Sequence, residues 1–173
     1  MNIYFYEGET EEKLIKALKK ENCIPQGKLQ KFNFWHKEAA RIVRKISQGS
    51  VLYIIFDTDR VEATACQQFL KNIRQLVSEK KVKEINLWAQ HGNLEKELCY
   101  ACLKRDRSQL FRDFYDTTDE GTFKASLIKE SNLFKKLSNN NFDIKRLWSR
   151  EDIYLSDLSG IDIDSHKLKV GVR

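Results

Sequence analysis

The 173-residue sequence predicts an α/β protein: a mostly parallel sheet flanked by helices over residues 1–105, with a mainly helical C-terminal elaboration over residues 106–173 packed on it. Three observations carry this. Short runs rich in β-formers alternate with helical patterns four times, the order that yields a parallel sheet with crossover helices. One run, Val51–Phe56, is continuously apolar, as a strand covered on both faces should be. Beyond about Ser108 the pattern turns helical and irregular. A hydrophobic fraction of 41% supplies a core and excludes a largely disordered chain, and the length suits one compact domain rather than two.

The elements follow in order. Ile3–Tyr6 reads as the first strand, and Leu14, Ala17 and Leu18 give the helix after Gly8. Pro25-Gln26-Gly27 is a turn. Leu29–Trp35 offers a half-exposed strand, interrupted by Gln30, Lys31 and Asn33. Ala39, Ile42, Val43 and Ile46 repeat at helical spacing up to Gly49. Val51–Phe56 follows, then a helix through Cys66, Phe69, Leu70, Ile73 and Val77. Ile85, Leu87 and Ala89 alternate with polar Glu84, Asn86 and Gln90, with Trp88 breaking the pattern, and His91-Gly92-Asn93 leads into a helix through Leu94 and Leu98. Further on, Phe123–Leu137 reads as one helix, ended by Asn139-Asn140-Asn141. Ile161–Ile163 and Leu168–Val172 are the remaining strand candidates, and Phe142 and Trp148 are expected to anchor this last third to the core.

Thirty-one Lys and Arg against 25 Asp and Glu give a net charge of +6, compatible with nucleic acid without being diagnostic. The longest strongly apolar run has six residues, far short of a bilayer span. The N-terminus lacks a secretory pattern, so a cytoplasmic protein with no membrane association is expected. Its four cysteines should then be reduced. Cys99 and Cys102 form a CxxC on a helical pattern without a second ligand pair, which favours core packing over zinc. Between Lys13 and Ser47 ten basic residues face Glu21 and Glu38, while five acids and no Lys or Arg lie between Glu151 and Ser165. The basic stretch is either the solvated face of two helices or a phosphate-tracking surface, with Lys28, Lys31, Arg41 and Arg44 as its nucleic-acid-binding candidates. Phe32, Phe34 and Trp35 among those cations could stack bases, but a half-buried strand is the preferred reading.

In an open parallel sheet, ligands bind beyond the carboxyl ends of the strands. Glu7 follows the first strand; Asp57 follows the buried third strand, with Asp59 two residues on; Glu95 opens the helix after the fourth. Three strand ends therefore deliver carboxylates to one edge, where a divalent cation is the natural counter-charge. Taken singly, each acid also has a structural explanation. Glu9, Glu11 and Glu12 suit a helix N-terminus, Asp59 and Glu62 have capping-box spacing, and Asn93 as N-cap leaves Glu95 a dipole-favoured acid. Asp57 is the hardest to explain this way.

Tyr6-Glu7-Gly8-Glu9-Thr10-Glu11 and Phe56-Asp57-Thr58-Asp59 together resemble the TOPRIM domain of topoisomerases, primases and OLD-family nucleases. The EGETE form, with the later acid in Asn93-Leu94-Glu95, looks more like the OLD and RloB-like defence-nuclease branch. The resemblance covers the core to about residue 105. It departs after Asp-x-Asp, where Arg60-Val61-Glu62-Ala63 replaces the glycine of many TOPRIM domains. No GxxxxGK[ST] segment is present, so an ATPase would come from a separate subunit; a homo-oligomer is the other arrangement to expect.

The expectation that follows is a metal-dependent nuclease acting on DNA or RNA, an effector of an anti-phage defence system. Glu7, Asp57 and Asp59 are its catalytic residues, and Glu7, Glu11, Asp57, Asp59 and Glu95 hold Mg²⁺, with Mn²⁺ as substitute. Hydrolysis would follow the two-metal scheme, and the resemblance implies that Glu7 also shuttles a proton. Lys124, Lys129 and His91 are candidates for phosphate or transition-state contacts. Two rivals stand beside this reading: a non-catalytic TOPRIM-like regulatory or nucleic-acid-binding subunit, and a flavodoxin-like nucleotide-binding domain, which would want glycine-rich or hydroxyl-rich loops at this edge.

Overall fold

A computed structural model describes residues 1–59, 62–150 and 166–171. Strands β1 (Asn2–Tyr6), β2 (Lys28–Lys31), β3 (Ser50–Asp57), β4 (Val82–Gln90) and β5 (Leu168–Val170) form one sheet in the order β2-β1-β3-β4-β5. Every neighbouring pair is parallel. The helices are α1 (Glu9–Lys20), α2 (Ala40–Val43), α3 (Ala63–Ser78), α4 (Leu94–Ala101), α5 (Arg107–Tyr115), α6 (Glu120–Lys129) and α7 (Leu133–Ser138). The fold is thus α/β, an all-parallel sheet flanked by helices.

The strand pleat sorts the core into two clusters. Tyr4, Tyr6, Ile55 and Trp88 face one side, where α1 and α4–α7 contribute Leu14, Leu18, Leu98, Phe111, Phe123 and Leu137. Ile3, Phe5, Leu52, Ile54, Phe56, Ile85 and Leu87 face the other, covered by Ile42 of α2 and Phe69, Ile73 and Leu76 of α3. Burial on both faces explains why β3 reads as an unbroken apolar run. Trp148 is 1% exposed and stacks on Trp88 with centroids 4.7 Å apart, fastening the last third to the sheet as expected. Cys99 and Cys102 are buried free thiols in the first cluster.

Several elements differ from the sequence reading for local reasons. β2 stops at Lys31 because Asn33 Oδ1 accepts from the backbone N–H groups of Trp35 (2.9 Å) and His36 (3.2 Å), turning the chain. That turn drives Phe32 (5% exposed) and Phe34 (1%) into the core, so a base-stacking role for either is corrected to core packing. The segment Ala39–Ile46 holds only one α-helical turn, flanked by i→i+3 bonds such as Lys45 N–H to Ile42 O at 2.8 Å. The expected helix Phe123–Leu137 is two helices, because Asn132 caps a new one by accepting from Lys135 N–H at 3.3 Å. Asp59 is not a helix cap: α3 starts after Glu62, which makes no side-chain capping bond. Finally, Leu168–Val170 pairs with β4, so the region beyond residue 105 completes the sheet as well as covering it. The Ile161–Ile163 candidate, the acidic stretch 151–165 and residues 60–61 lie outside the described residues.

Candidate acidic site at the sheet edge

The strand order reverses direction between β1 and β3, and the switch point of a doubly wound sheet is where a ligand crevice opens. Glu7 leaves β1 and Asp57 ends β3 at this point. Loop hydrogen bonds hold the edge in shape. Thr58 turns inward, its hydroxyl donating to Gln90 O (2.9 Å) and accepting from Gly92 N–H (2.9 Å). Asp59 N–H donates to Gly92 O at 3.0 Å. The exits of β3 and β4 are thereby locked together, with the two aspartates on either side of the anchoring threonine. Gly92 has φ +83, and a Cβ there would meet Lys96 Cδ at 2.7 Å, so the turn into α4 requires glycine. Asn93 then caps α4 by accepting from Lys96 N–H at 3.2 Å, which sets Glu95 in the first turn. At β1, Gly8 is extended, and a Cβ on it would lie 2.5 Å from Glu11 Oε2, so the Glu-Gly step makes room for the Glu11 carboxylate.

Two clefts flank Asp57 and Asp59, which line both. The larger, about 500 Å³, includes Thr10, Glu11, Glu95, Lys96, Arg107, Glu120 and Lys124. The smaller, about 300 Å³, includes Glu7, Asn33, Trp35, His36 and Glu62. The structure therefore brings Glu7, Glu11, Asp57, Asp59 and Glu95 to one edge, with Glu7 on the α2–α3 side and Glu11 and Glu95 on the other.

Their electrostatics are coupled. Burial, then Glu11, Glu7, Asp59 and Glu95, pushes the Asp57 carboxyl up to about 8. Burial, then Glu11 and Asp59, pushes Glu7 up to about 7. Glu95, 2% exposed, is raised chiefly by burial, against its own backbone N–H and Lys124. Partners are few. Glu7 Oε2 accepts from Asn33 Nδ2 at 2.9 Å, while Glu7 Oε1 is buried without a hydrogen-bond partner. Glu11 Oε2 accepts from the Thr10 hydroxyl at 3.2 Å. Among the described residues Glu95 is the one member with an ion pair, to Lys124 Nζ at 3.5 Å. An oxygen-only donor set with excess negative charge fits a hard divalent cation in its chemistry. In position the fit is incomplete: among the described residues no three such side chains stand close enough to enclose one ion. Side-chain rotation toward an ion, open to the exposed Asp59, would have to close the set.

The other candidates divide. Lys124 lines the larger cleft; Lys129, exposed at the end of α6, lines neither cleft. His91 is exposed, and its backbone N–H donates to Glu97 at 3.2 Å. Lys28, Lys31, Arg41 and Arg44 are exposed and outside both clefts; Lys31 sits at the carboxyl end of β2. Sequence reasoning missed Asn33, Arg107 and Glu120; Trp35, weighed there as a base-stacking aromatic, lines the smaller cleft. Only the i,i+4 spacing of Glu120 and Lys124 carried a signal. Glu97, two residues from Glu95, is fully buried and fully used: it accepts from Trp148 N–H (2.6 Å), Arg150 (2.9 Å) and His91 N–H.

Fold and site together define a class, an all-parallel α/β protein with an acidic double cleft at its switch point. No protein-family model, no curated protein and no solved structure matches the chain. Among the described residues no helix is long and apolar enough to cross a membrane.

Proposed function

We propose that the chain is a TOPRIM-type, Mg²⁺-dependent nuclease that hydrolyses phosphodiester bonds in DNA or RNA. The observation that carries the reading is the convergence of five carboxylates on the switch-point edge, where burial first and then their mutual repulsion hold Glu7 and Asp57 well above the usual carboxylate range. Such crowding fits a site completed by a cation. Glu7, Glu11, Asp57, Asp59 and Glu95 would hold Mg²⁺, or Mn²⁺ in its place; Asp57 and Asp59 line both clefts. When bound, the metal supplies Lewis-acid polarisation of a phosphoryl oxygen and a more acidic water.

The chain's own residues supply the rest. Glu7 Oε1, buried and free of partners, with an affinity for protons centred near neutrality, suits a group that takes a proton and returns it. Asn33 holds the other oxygen of that carboxylate in place. Lys124, across the larger cleft, suits stabilisation of charge developing on the phosphoryl oxygens. Lys28, Lys31, Arg41 and Arg44 belong to this proposal as exposed cations for the flanking nucleic acid. A separate ATPase subunit or a homo-oligomer, a defence role and a cytoplasmic setting complete the reading by analogy.

Cleavage of single- and double-stranded DNA and RNA, titrated with Mg²⁺, tests the proposal. Glu7→Gln and Asp57→Asn are each expected to lower turnover by about 100-fold or more, the scale of losing an electrostatic or acid–base group; unchanged metal-dependent cleavage in both overturns it. The second reading, a non-catalytic nucleic-acid-binding subunit, is favoured by the incomplete closure of the carboxylates around any one point. Affinity that survives EDTA with no turnover in Mg²⁺ or Mn²⁺ would select it.

A further inference from the structure

The wall of the larger cleft opposite the strand ends is cationic, and its cations are occupied. Arg107, the first residue of α5, places Nη1 3.0 Å from Glu120 Oε2, and Lys124 Nζ lies 2.6 Å from Glu120 Oε1. The Glu120 carboxylate thus bridges an arginine and a lysine from different helices, one oxygen to each, within the cleft. That is the contact a phosphate group would make with the same two cations, since guanidinium and ammonium donors match two oxygens of either anion. Glu120 is only half-buried, its side chain 40% exposed, and Asp119, not Glu120, caps α6 by accepting from Thr122 N–H. The N-cap of α6 therefore does not depend on this carboxylate. Lys124 also reaches Glu95, which sets the cation pair directly beside the acidic edge.

We propose that Arg107 and Lys124 form a phosphate subsite for one backbone phosphate of a nucleic acid, and that Glu120 is an internal anion occupying it until the substrate displaces it. The inference deepens the nuclease reading by naming how the substrate is held, and it rests on that reading for the kind of phosphate. Exchange of an exposed carboxylate for a phosphate is cheap because solvent screens the pair being broken. The displaced Glu120 returns to water, and the phosphate arrives next to Glu95 and Asp57.

Binding of a fluorescein-labelled single-stranded oligonucleotide, read by polarisation in EDTA at low salt, tests the subsite without any cleavage. Glu120→Gln is expected to tighten binding about fivefold, the scale of one exposed ion pair. Arg107→Gln with Lys124→Gln is expected to weaken it about tenfold and to flatten the salt dependence by about one unit in log–log slope. Lys129→Gln, which removes the same charge from α6 outside the cleft, should change neither to that extent. Equal affinity in wild type, Glu120→Gln and the double variant, or weakening no greater than Lys129→Gln gives, overturns the subsite. The two proposals fail separately. Mg²⁺-dependent cleavage with unmoved affinities leaves the nuclease and removes the subsite; the expected affinity changes with no cleavage in any metal leave the subsite and remove the nuclease.

Discussion

Replacing Asp57 with Asn isolates the electrostatic cost of the acidic edge. In the folded protein burial and four neighbouring carboxylates hold Asp57 up near 8, and Glu7 near 7, against 3.8 and 4.5 in the unfolded chain. Between roughly pH 4 and pH 8 the native state therefore binds more protons than the unfolded state, and metal-free stability falls as pH rises through that window. Acids held low by local partners, such as Glu12, Glu84 and Glu120, act in the opposite direction, at the acidic end of the range. Each pH unit of elevation is worth ~1.4 kcal/mol, so Asp57 sets a ceiling of roughly 6 kcal/mol. Solvent contact at the cleft mouth reduces the expected loss to about 2 kcal/mol from pH 5.5 to 8.5. For a domain of this size that is a fall in Tm of about 4–8 °C. Thermal unfolding in EDTA reads it directly. Asp57→Asn should remove at least half of the fall and unfold at a higher temperature than wild type at pH 8.5. Mg²⁺ at tenfold excess over its Kd should restore about 1.4 kcal/mol to wild type and clearly less to the variant. A wild-type Tm that rises over this range, or parallel profiles for the two proteins, would refute the reasoning.

Three more expectations rest on different residues. Glu97→Ala strips the partners from two backbone N–H groups and Arg150, and should cost about 3–5 kcal/mol in urea unfolding, whereas Glu95→Gln, two residues away, should change stability by less than about 1 kcal/mol while lowering metal-dependent cleavage. Trp148→Ala removes the stack on Trp88 and should cost about 3–5 kcal/mol in the same measurement. Burial holds the Cys99 thiol up to about 11 and Cys102 up to about 12, so a thiol reagent at pH 8 should label both only after unfolding, well behind the half-exposed Cys23. Rapid labelling of all four cysteines in the native protein would contradict that.

The layered fold was legible because its signals are periodic and local. Val51–Phe56 had to be a two-sided strand, Phe69 and Ile73 had to share a helix face, and the strand–helix alternation implied parallel pairing with carboxylates at one end. Boundaries were less legible where one polar side chain redirects the backbone. Asn33 ends β2 and Asn132 divides a predicted helix, and an asparagine that bonds nearby N–H groups looks the same in sequence as one that faces solvent. The role of Asp59 turned on the same uncertainty: capping-box spacing is present, yet the helix starts after Glu62 and the carboxylate is left at the cleft.

By itself the sequence determined the sheet, its two apolar faces and the delivery of Glu7, Asp57 and Glu95 to one edge, since strand direction and a two-residue pleat follow from the hydrophobic pattern alone. Tertiary structure decided what each of those acids meets. Glu95 and Glu97 share one turn of α4; one opens on a cleft toward Lys124 and the other is consumed by the chain around Trp148, contacts made across 29 and 51 residues of sequence. It also decided that Arg107 and Lys124 share Glu120. Charge spacing along a chain says which groups ionise, but desolvation and pairing depend on distances in space, and those exist only once α4, α5 and α6 have packed.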